Sequence, residues 1–380
     1  MTVTIRVLHV LNTLRYSGAE VMLHCAAPLW AEHGVSCEIV AIGEEPGPFA
    51  PELAEAGYPI HWIADPRNPR LLPQFAALVR AGQFDVVHLH VERANFWLAM
   101  TAKVAGGCGI LRSLHAQFSF DGALRVERVV QRALLQRMGG RFVAVAPSVA
   151  ANEWERFGNR ADVILNWVDT MRFAPVGEAE RTVARQRLGL GRDCLVITSV
   201  GNCAAVKNHL SLIEALSLLR DRRENIVYLH AGDETLEVGT SERDLVMKLG
   251  MSDMVHFLGP VARVEEVLNA TDLFVMPSLR EGLSIAVIEA LAAGVPTLLA
   301  DSPGLRDIAA AVGLGPLPEP TPQALAEEID RLLSEPPELL RSRALAVSNA
   351  VRAQFAPKHG VVAYSNAYTA IAPRRSAARP

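Results

Sequence analysis

Two carboxylates eight residues apart, Glu281 and Glu289, stand in the stretch SLREGLSIAVIEALAAGVP, residues 278–296. Glu289 falls among Ile, Ala, Val and Leu, side chains that bury themselves, and a carboxylate there costs several kcal/mol unless something hydrogen-bonds to it. A polar ligand or a charged partner is the expected remedy. Glu281 lies in a short loop between an apolar strand-like run and the apolar helix that holds Glu289. In that loop Gly282 lets the backbone approach a ligand, and the N–H groups of Leu283 and Ser284 open the helix, so together they can hold a phosphate or a sugar hydroxyl. Glu281 then suits hydrogen bonds from sugar hydroxyls, and Glu289, two turns into the helix, suits a ribose diol. The plainer alternative makes Glu281 a helix N-terminal charge and Glu289 a core carboxylate paired with an arginine.

Short apolar runs alternate with longer amphipathic ones along the chain, the signature of βα units feeding a parallel sheet. Strands are expected at residues 5–11, 37–42, 60–64, 85–90, 110–115, 142–146 and 163–165, with a first helix over 19–32. After a polar, breaker-rich segment around 169–191 a second series follows at 195–200, 226–231, 255–258, 273–276 and 297–300. The last hundred residues read as helices over 322–333, 337–354 and 358–371. The expected fold is α/β, with two Rossmann-like halves. The domain boundaries expected are 1–170, 171–356, a helix over 357–372 that packs back on the first domain, and a disordered tail at 373–380. Ligands of such sheets bind beyond the carboxyl ends of strands. This sorts the candidates to residues 12–18, Glu92, His115, residues 202–207, Gly232 and Asp233, residues 259–263 and 279–284, drawn from both halves, so a cleft between two domains is the expected site.

The totals narrow the classes. At 380 residues the chain is long for one core, and two or three domains are expected. A net charge of −4 argues against a general nucleic-acid binder. The five cysteines are scattered, odd in number and without CxxC spacing, which suits a reducing cytoplasm and gives no signal of zinc or a redox pair. The N-terminal segment has no basic region followed by a cleavage site, so no signal peptide is expected. Residues 282–300 form the one long apolar run, and as a membrane span it fails: a central Glu289 costs roughly 2–4 kcal/mol, and Gly294 with Pro296 breaks the helix. His9, His88 and His90 alternate on apolar strands and read as packing or hydrogen-bonding residues rather than metal ligands.

Several segments carry a resemblance. EGLSIAVIEALAAGVP resembles the Glu-x7-Glu element of the retaining glycosyltransferases of family 4, which have the GT-B fold. YSGAE at residues 16–20 is similar to that family's glycine-containing first loop, DVVHLH at 85–90 to its central strand, NWVD at 166–169 to its Asn-Gly-Val-Asp linker element, and HFLGPV at 256–261 to its base-binding strand end. The likeness covers nearly the whole chain.

That resemblance implies a GT-B enzyme that moves a sugar, with retention, from a nucleotide diphosphate donor to a hydroxyl acceptor in glycan, glycolipid or natural-product glycoside biosynthesis. A UDP-sugar is implied before a GDP-sugar. The first domain would bind acceptor and the second donor. Glu289 would bind the ribose, and Glu281 with the N–H groups of Gly282, Leu283 and Ser284 would hold the donor sugar and β-phosphate. Gly18 would let the first loop approach the diphosphate, Lys207 would neutralise charge on the leaving diphosphate, His115 would lie near the donor sugar, and backbone near Val261 would read the base. The family's phosphate-binding Arg five residues before the Lys is Asn202 here, so either Lys207 carries more of the load or Arg263 or Arg280 substitutes. The linker glycine is Trp167.

No Asp-x-Asp, HExxH, GxGxxG or P-loop pattern occurs, so the implied reaction needs no divalent metal and no cofactor. Two rival readings remain open at this stage: a GT-B-shaped sugar-nucleotide epimerase or hydrolase, and a non-catalytic subunit of a polysaccharide assembly. In the segment 121–141, Arg125, Arg128 and Arg132 recur at helical spacing with Arg137 and Arg141. This basic face is either a membrane contact at the inner surface or a solvated helix face.

Overall fold

The computed structural model describes residues 4–64, 67–191, 193–234 and 239–373. The tail 374–380 lies outside them. The chain divides into two units, Met1–Asn166 with Pro357–Pro380, and Trp167–Ala356.

In the first unit seven strands form one all-parallel sheet: β1 (Ile5–Asn12), β2 (Val35–Gly43), β3 (Ile60–Ala64), β4 (Val86–Leu89), β5 (Gly109–Leu114), β6 (Arg141–Ala144) and β7 (Asp162–Val163). Their order is β3-β2-β1-β4-β5-β6-β7. β1 is buried along most of its length, with Val7, Leu8, Val10 and Leu11 in the core, as a parallel strand covered on both faces must be. The first helix runs only over Gly18–Ala26 and gives way to two short 3-10 turns, Ala27–Leu29 and Ala31–His33. Pro28 has no N–H for the helical ladder, so the uninterrupted helix expected over 19–32 breaks there.

The last helix, Pro357–Ile371, belongs to this first unit. Tyr368 and Tyr364 reach down from it to the sheet, Tyr368 Oη pairing with His88 Nδ1 at 2.7 Å and Tyr364 Oη with Ser113 Oγ at 2.8 Å. The helix end comes so close that a Cβ on Gly109 would stand 2.4 Å from the Ile371 carbonyl oxygen. Only glycine fits at the start of β5.

In the second unit five parallel strands, β8 (Leu195–Val200), β9 (Ile226–Ala231), β10 (Val255–Gly259), β11 (Leu273–Met276) and β12 (Thr297–Leu299), take the order β10-β9-β8-β11-β12. Helices His209–Leu219 and Pro322–Leu333 share its core. The second shows how sequence sets the element. Thr321 caps it by accepting the Ala324 N–H, proline takes its first position, and Leu325, Ile329 and Leu332 recur at i, i+4 and i+7 on the buried face. Each such side chain contributes about 1.5–3 kcal/mol of gross burial.

Candidate active site

In the second sheet the strand order reverses between β8 and β11, hydrogen-bonded neighbours whose carboxyl ends release the loops that carry Lys207 and Glu281. Such a switch point is where open α/β sheets bind ligands. Lys207 Nζ donates to Glu281 Oε1 at 2.8 Å, and Ser278 Oγ donates to the same oxygen at 2.7 Å. The two loops are stitched together by backbone. The Leu279 N–H donates to the Val206 carbonyl at 2.9 Å, and Asn208 Nδ2 donates to the carbonyls of Pro277 at 3.1 Å and Pro320 at 3.0 Å. Asn208 does this from a left-handed conformation, φ 59°, which asparagine tolerates better than most residues. It ends the 3-10 turn Ala205–Lys207 and starts the helix His209–Leu219, so one residue both aims Lys207 and ties its loop to its neighbour.

The loop of Glu281, Gly282, Leu283 and Ser284 is backed by the turn after β12. The Glu281 N–H donates to the Pro303 carbonyl at 3.3 Å. Gly304 has φ 78°, and a Cβ there would stand 2.5 Å from the Gly282 carbonyl oxygen, so this backing turn requires glycine. Gly282, Leu283 and Ser284 are buried, and Ser284 stands extended at the N-terminus of the helix Ile285–Ala292. Glu289 is buried in that helix. Burial raises its carboxyl to about 7, while the nearby Arg172 charge opposes the shift and Glu265 adds to it. Arg172 spends its hydrogen bonds on Glu265 and on the Ala262 carbonyl at 2.8 Å. Among the described residues no side-chain hydrogen bond reaches Glu289, so the core pair with an arginine is not formed.

Val261, half-buried, precedes Ala262 in the loop after β10. Asn202 shares the Lys207 loop, and its Oδ1 accepts the Asp233 N–H at 3.0 Å while the Cys203 N–H donates to the Asp233 carbonyl at 2.9 Å. The amide that stands where the resemblance leads one to expect arginine thus braces the loops after β8 and β9. Of the two candidate replacements, Arg263 is engaged by Glu265 and Glu266, whereas Arg280, exposed beside Glu281, makes no ion pair among the described residues.

Gly18 and His115 lie in the first unit. Gly18 opens the helix after β1, and His115 follows β5. His115 Nε2 pairs with His90 Nδ1 at 2.9 Å, and His90 Nε2 with His9 Nδ1 at 3.0 Å, a three-ring chain across β1, β4 and β5. Burial holds His9 down to about 3 and His115 to about 4, so the rings are neutral near pH 7.

The helix Gly122–Arg137 corrects one expectation. Arg132 is 1% exposed and pairs with the buried Glu153, and Arg128 sits near Glu92 and donates to Gln131, so neither is available to a membrane. Their positions face the sheet, where carboxylates compensate them. Glu92, expected at an acceptor loop, is drawn into the same network by Arg112. The residues that spacing did not single out are Ser278, Asn208 and Gly304, which hold the loops, and a buried set of Cys203, His209, His230 and Glu242. The turn signals DSPG and KNH mark the places of Gly304 and Asn208. The second group has no regular spacing and is assembled only by the sheet.

Residues 16–172 match the family described as Glycosyltransferase Family 4, and residues 180–349 match Glycosyl transferases group 1. EpsF of Bacillus subtilis (strain 168), which carries the name of a glycosyltransferase, is 28% identical over 313 residues, 78% of this chain and 79% of its own. A D-inositol 3-phosphate glycosyltransferase of Geodermatophilus obscurus is 29% identical over 249 residues, covering 59% of this chain and 54% of that protein. Among solved structures, HepE of Anabaena in complex with UDP and glucose superposes with TM-score 0.83 at 19% identity, over 96% of this chain and 100% of that one. At that identity the likeness shows the fold, two Rossmann-like units of the GT-B type.

Proposed function

We propose, for a chain that carries a family 4 glycosyltransferase domain followed by a group 1 glycosyl transferase domain and is thereby a glycosyltransferase, that it transfers a sugar with retention from a UDP-sugar to a hydroxyl acceptor, without a divalent ion in the reaction. The observation that carries this reading is the Lys207–Glu281 pair at the switch point between β8 and β11. In this proposal the second unit binds donor: the Glu289 carboxylate takes the ribose diol, backbone near Val261 reads the base, and the N–H groups of Gly282, Leu283 and Ser284 take the β-phosphate. Lys207 turns from Glu281 to the diphosphate as negative charge grows on it, a demand that dominates such chemistry. Glu281, relieved of the ammonium, accepts from the donor sugar's hydroxyls. Arg280 supplies the second cation that Asn202 does not. The leaving phosphate oxygen takes the acceptor's proton on the face it vacates, so no protein base is required.

The first unit binds acceptor in this proposal, with Gly18 and His115 at its carboxyl edge. It also offers an apolar stripe, Val126, Val130 and Leu134 on the helix Gly122–Arg137 with Met138 at its C-terminal cap, exposed at four-residue spacing and flanked by exposed Arg125 and Arg137. No helix among the described residues is long and apolar enough to cross a membrane. A peripheral contact with anionic lipid through this stripe is therefore proposed in place of Arg128 and Arg132. Val130→Asp should abolish flotation with anionic liposomes.

A thermal-shift screen of nucleotide sugars tests the central reading. A ligand at 100 times its Kd adds about 2.7 kcal/mol, or roughly 5–10 °C for a unit of this size. A shift with UDP-sugars is expected, and silence from every UDP- and GDP-sugar would overturn it. Lys207→Ala should then lower kcat by about 100–1,000-fold.

A further inference from the structure

Cys203 follows β8, His209 is the first residue of the helix His209–Leu219, His230 sits in β9, and Glu242 lies in the first turn of the helix Gly239–Lys248. None of the four is more than 1% exposed. Each offers one ligand atom, and those four atoms lie within 4.8 Å of one another. We propose that these side chains form a structural zinc site that fixes the loop carrying Lys207.

The donor set is the first argument. One thiolate, two imidazoles and one carboxylate are the ligand types that zinc takes in tetrahedral sites. The charge is the second. A thiolate and a carboxylate cancel a divalent cation, and the imidazoles add nothing, so the occupied site is neutral where an unbalanced charge would be costly. On binding, the Cys203 thiol proton leaves to solvent and no group is oxidised or reduced.

The hydrogen bonds supply an independent observation. His230 Nε2 faces the Gly201 carbonyl at 3.0 Å and so carries the ring proton, which leaves Nδ1 as a bare lone pair. His209 Nδ1 faces Glu242 Oε1 at 3.2 Å, and with its proton there Nε2 is bare. Both bare nitrogens, His230 Nδ1 and His209 Nε2, are buried and have no partner among the described residues. A carbonyl or carboxylate that fixes one nitrogen while the other stands ready is the arrangement around metal-bound histidine. One edge of the cluster is already short, Cys203 Sγ to Glu242 Oε2 at 3.0 Å, while the bond from His209 Nδ1 to Glu242 Oε1 at 3.2 Å orients the ring. Zinc bonds of about 2.0–2.3 Å span tetrahedral edges of roughly 3.3–3.8 Å, so the cluster adjusts by small shifts.

Position gives the site its purpose. Lys207 lies between ligands Cys203 and His209, so the metal would clamp both ends of its loop and join that loop to β9 and the next helix. With four protein ligands the site is closed and leaves no position for substrate, so it stands apart from the reaction itself. The inference does not depend on which sugar is transferred or whether one is.

The test is metal analysis of the full chain, expressed with zinc supplied and purified without chelator. About one zinc per chain is expected, with a loss of at least about tenfold in Cys203→Ser and in Glu242→Gln, the second keeping the side-chain shape. Replacement of the metal by cobalt(II) in the unaltered chain should give the near-ultraviolet thiolate-to-cobalt absorption, a readout that needs no variant to fold. Zinc well below one per unaltered chain, zinc undiminished in Cys203→Ser, or cobalt bound without the thiolate band would each overturn the site.

Discussion

Each unit of this protein buries a group of histidines against its sheet, and the two groups close their hydrogen bonds differently. In the first unit His88 gives one nitrogen to Tyr368 and the other to Ser113, while His9, His90 and His115 pair ring to ring. No carboxylate or thiol stands among these contacts, and one ring nitrogen, His9 Nε2, is buried without a partner among the described residues. In the second unit two histidines meet a thiol and a carboxylate, and each ring keeps one bare nitrogen. A neutral, mutually bonded group holds a fold together without help. A group with two anions in waiting and two lone pairs unspent is built for a cation. Proximity of potential ligands and a bare ring nitrogen are common to both, so it is the thiol and the carboxylate of the second group that separate them.

Acidification should split the units most strongly. Burial lowers His9, His88, His90 and His115 below the ordinary 6.5. Below pH 6.5 the unfolded chain takes up protons that the folded first unit refuses, so stability falls as pH drops, for His9 and His115 by on the order of 1.4 kcal/mol per pH unit each down to their folded values of about 3 and 4. In the second unit His230, held down to about 4 by burial, acts in the same sense, but Glu289 works in the opposite one and offsets it. With its carboxyl at about 7 when folded and near 4.5 when unfolded, the folded state alone holds a proton between those values, which favours folding as pH drops from 7. Hydrogen exchange of β1, β4 and β5 against β8, β9 and β11 at pH 7 and 5 should show protection collapsing in the first set. Equal weakening of both sheets would erase the distinction.

Replacing His88 with Leu comes next in size. It strands Tyr368 Oη in the core, at about 1–3 kcal/mol, leaves Ser113 Oγ only its Tyr364 partner, and lowers the melting temperature while leaving metal content untouched. His230→Leu should weigh the other way: it removes an unpartnered nitrogen and one hydrogen bond to the Gly201 carbonyl, so the metal-stripped chain loses about 0.5–1.5 kcal/mol, whereas the loaded chain also loses its zinc. Smaller again is Glu289→Gln. At pH 8 it relieves a buried charge and should add about 1–3 kcal/mol, or roughly 2–4 °C per kcal/mol, and at pH 5, where both side chains are neutral, the gain should vanish. A gain that persists at pH 5 would mean packing, rather than charge, sets the effect.

How much of this was legible in the sequence depends on the range of the interaction. Strands 195–200, 226–231 and 273–276, and the helices 322–333 and 337–354, follow from local periodicity and Pro punctuation and fall where expected. The failure over 19–32 is also local, since Pro28 was there to be weighed. Glu281 and Glu289 announced themselves as carboxylates in an apolar run. Their surroundings did not, because Ser278 is near in sequence but Lys207 is 74 residues away and Gly304 acts through a carbonyl contact. The arginines of the helix Gly122–Arg137 show the same limit. Spacing puts Arg125, Arg128 and Arg132 on one stripe, but only the sheet and Glu153 decide that Arg132 points inward. Cys203, His209, His230 and Glu242 lie at intervals of 6, 21 and 12 residues, and no motif could have joined them.

The smallest expected effect separates the zinc clamp from the hydrogen bonds around it. Asn202 Oδ1 accepts the Asp233 N–H on an exposed edge, beside the backbone bond from Cys203 to Asp233. Asn202→Ala loses one such bond, worth about 0.5–1.5 kcal/mol in isolation. If zinc already anchors Cys203, the loop keeps its place without the amide, and the substitution should cost a few tenths of a kcal/mol in the loaded chain and the full amount after zinc is stripped. The two perturbations would then be coupled, as contacts that restrain one segment are. Denaturant unfolding of the four states, parent and Asn202→Ala with and without zinc, measures that coupling. A cycle that closes with simple additivity would place Asn202 and Cys203 in independent restraints and detach the loop of Lys207 from the metal beneath it.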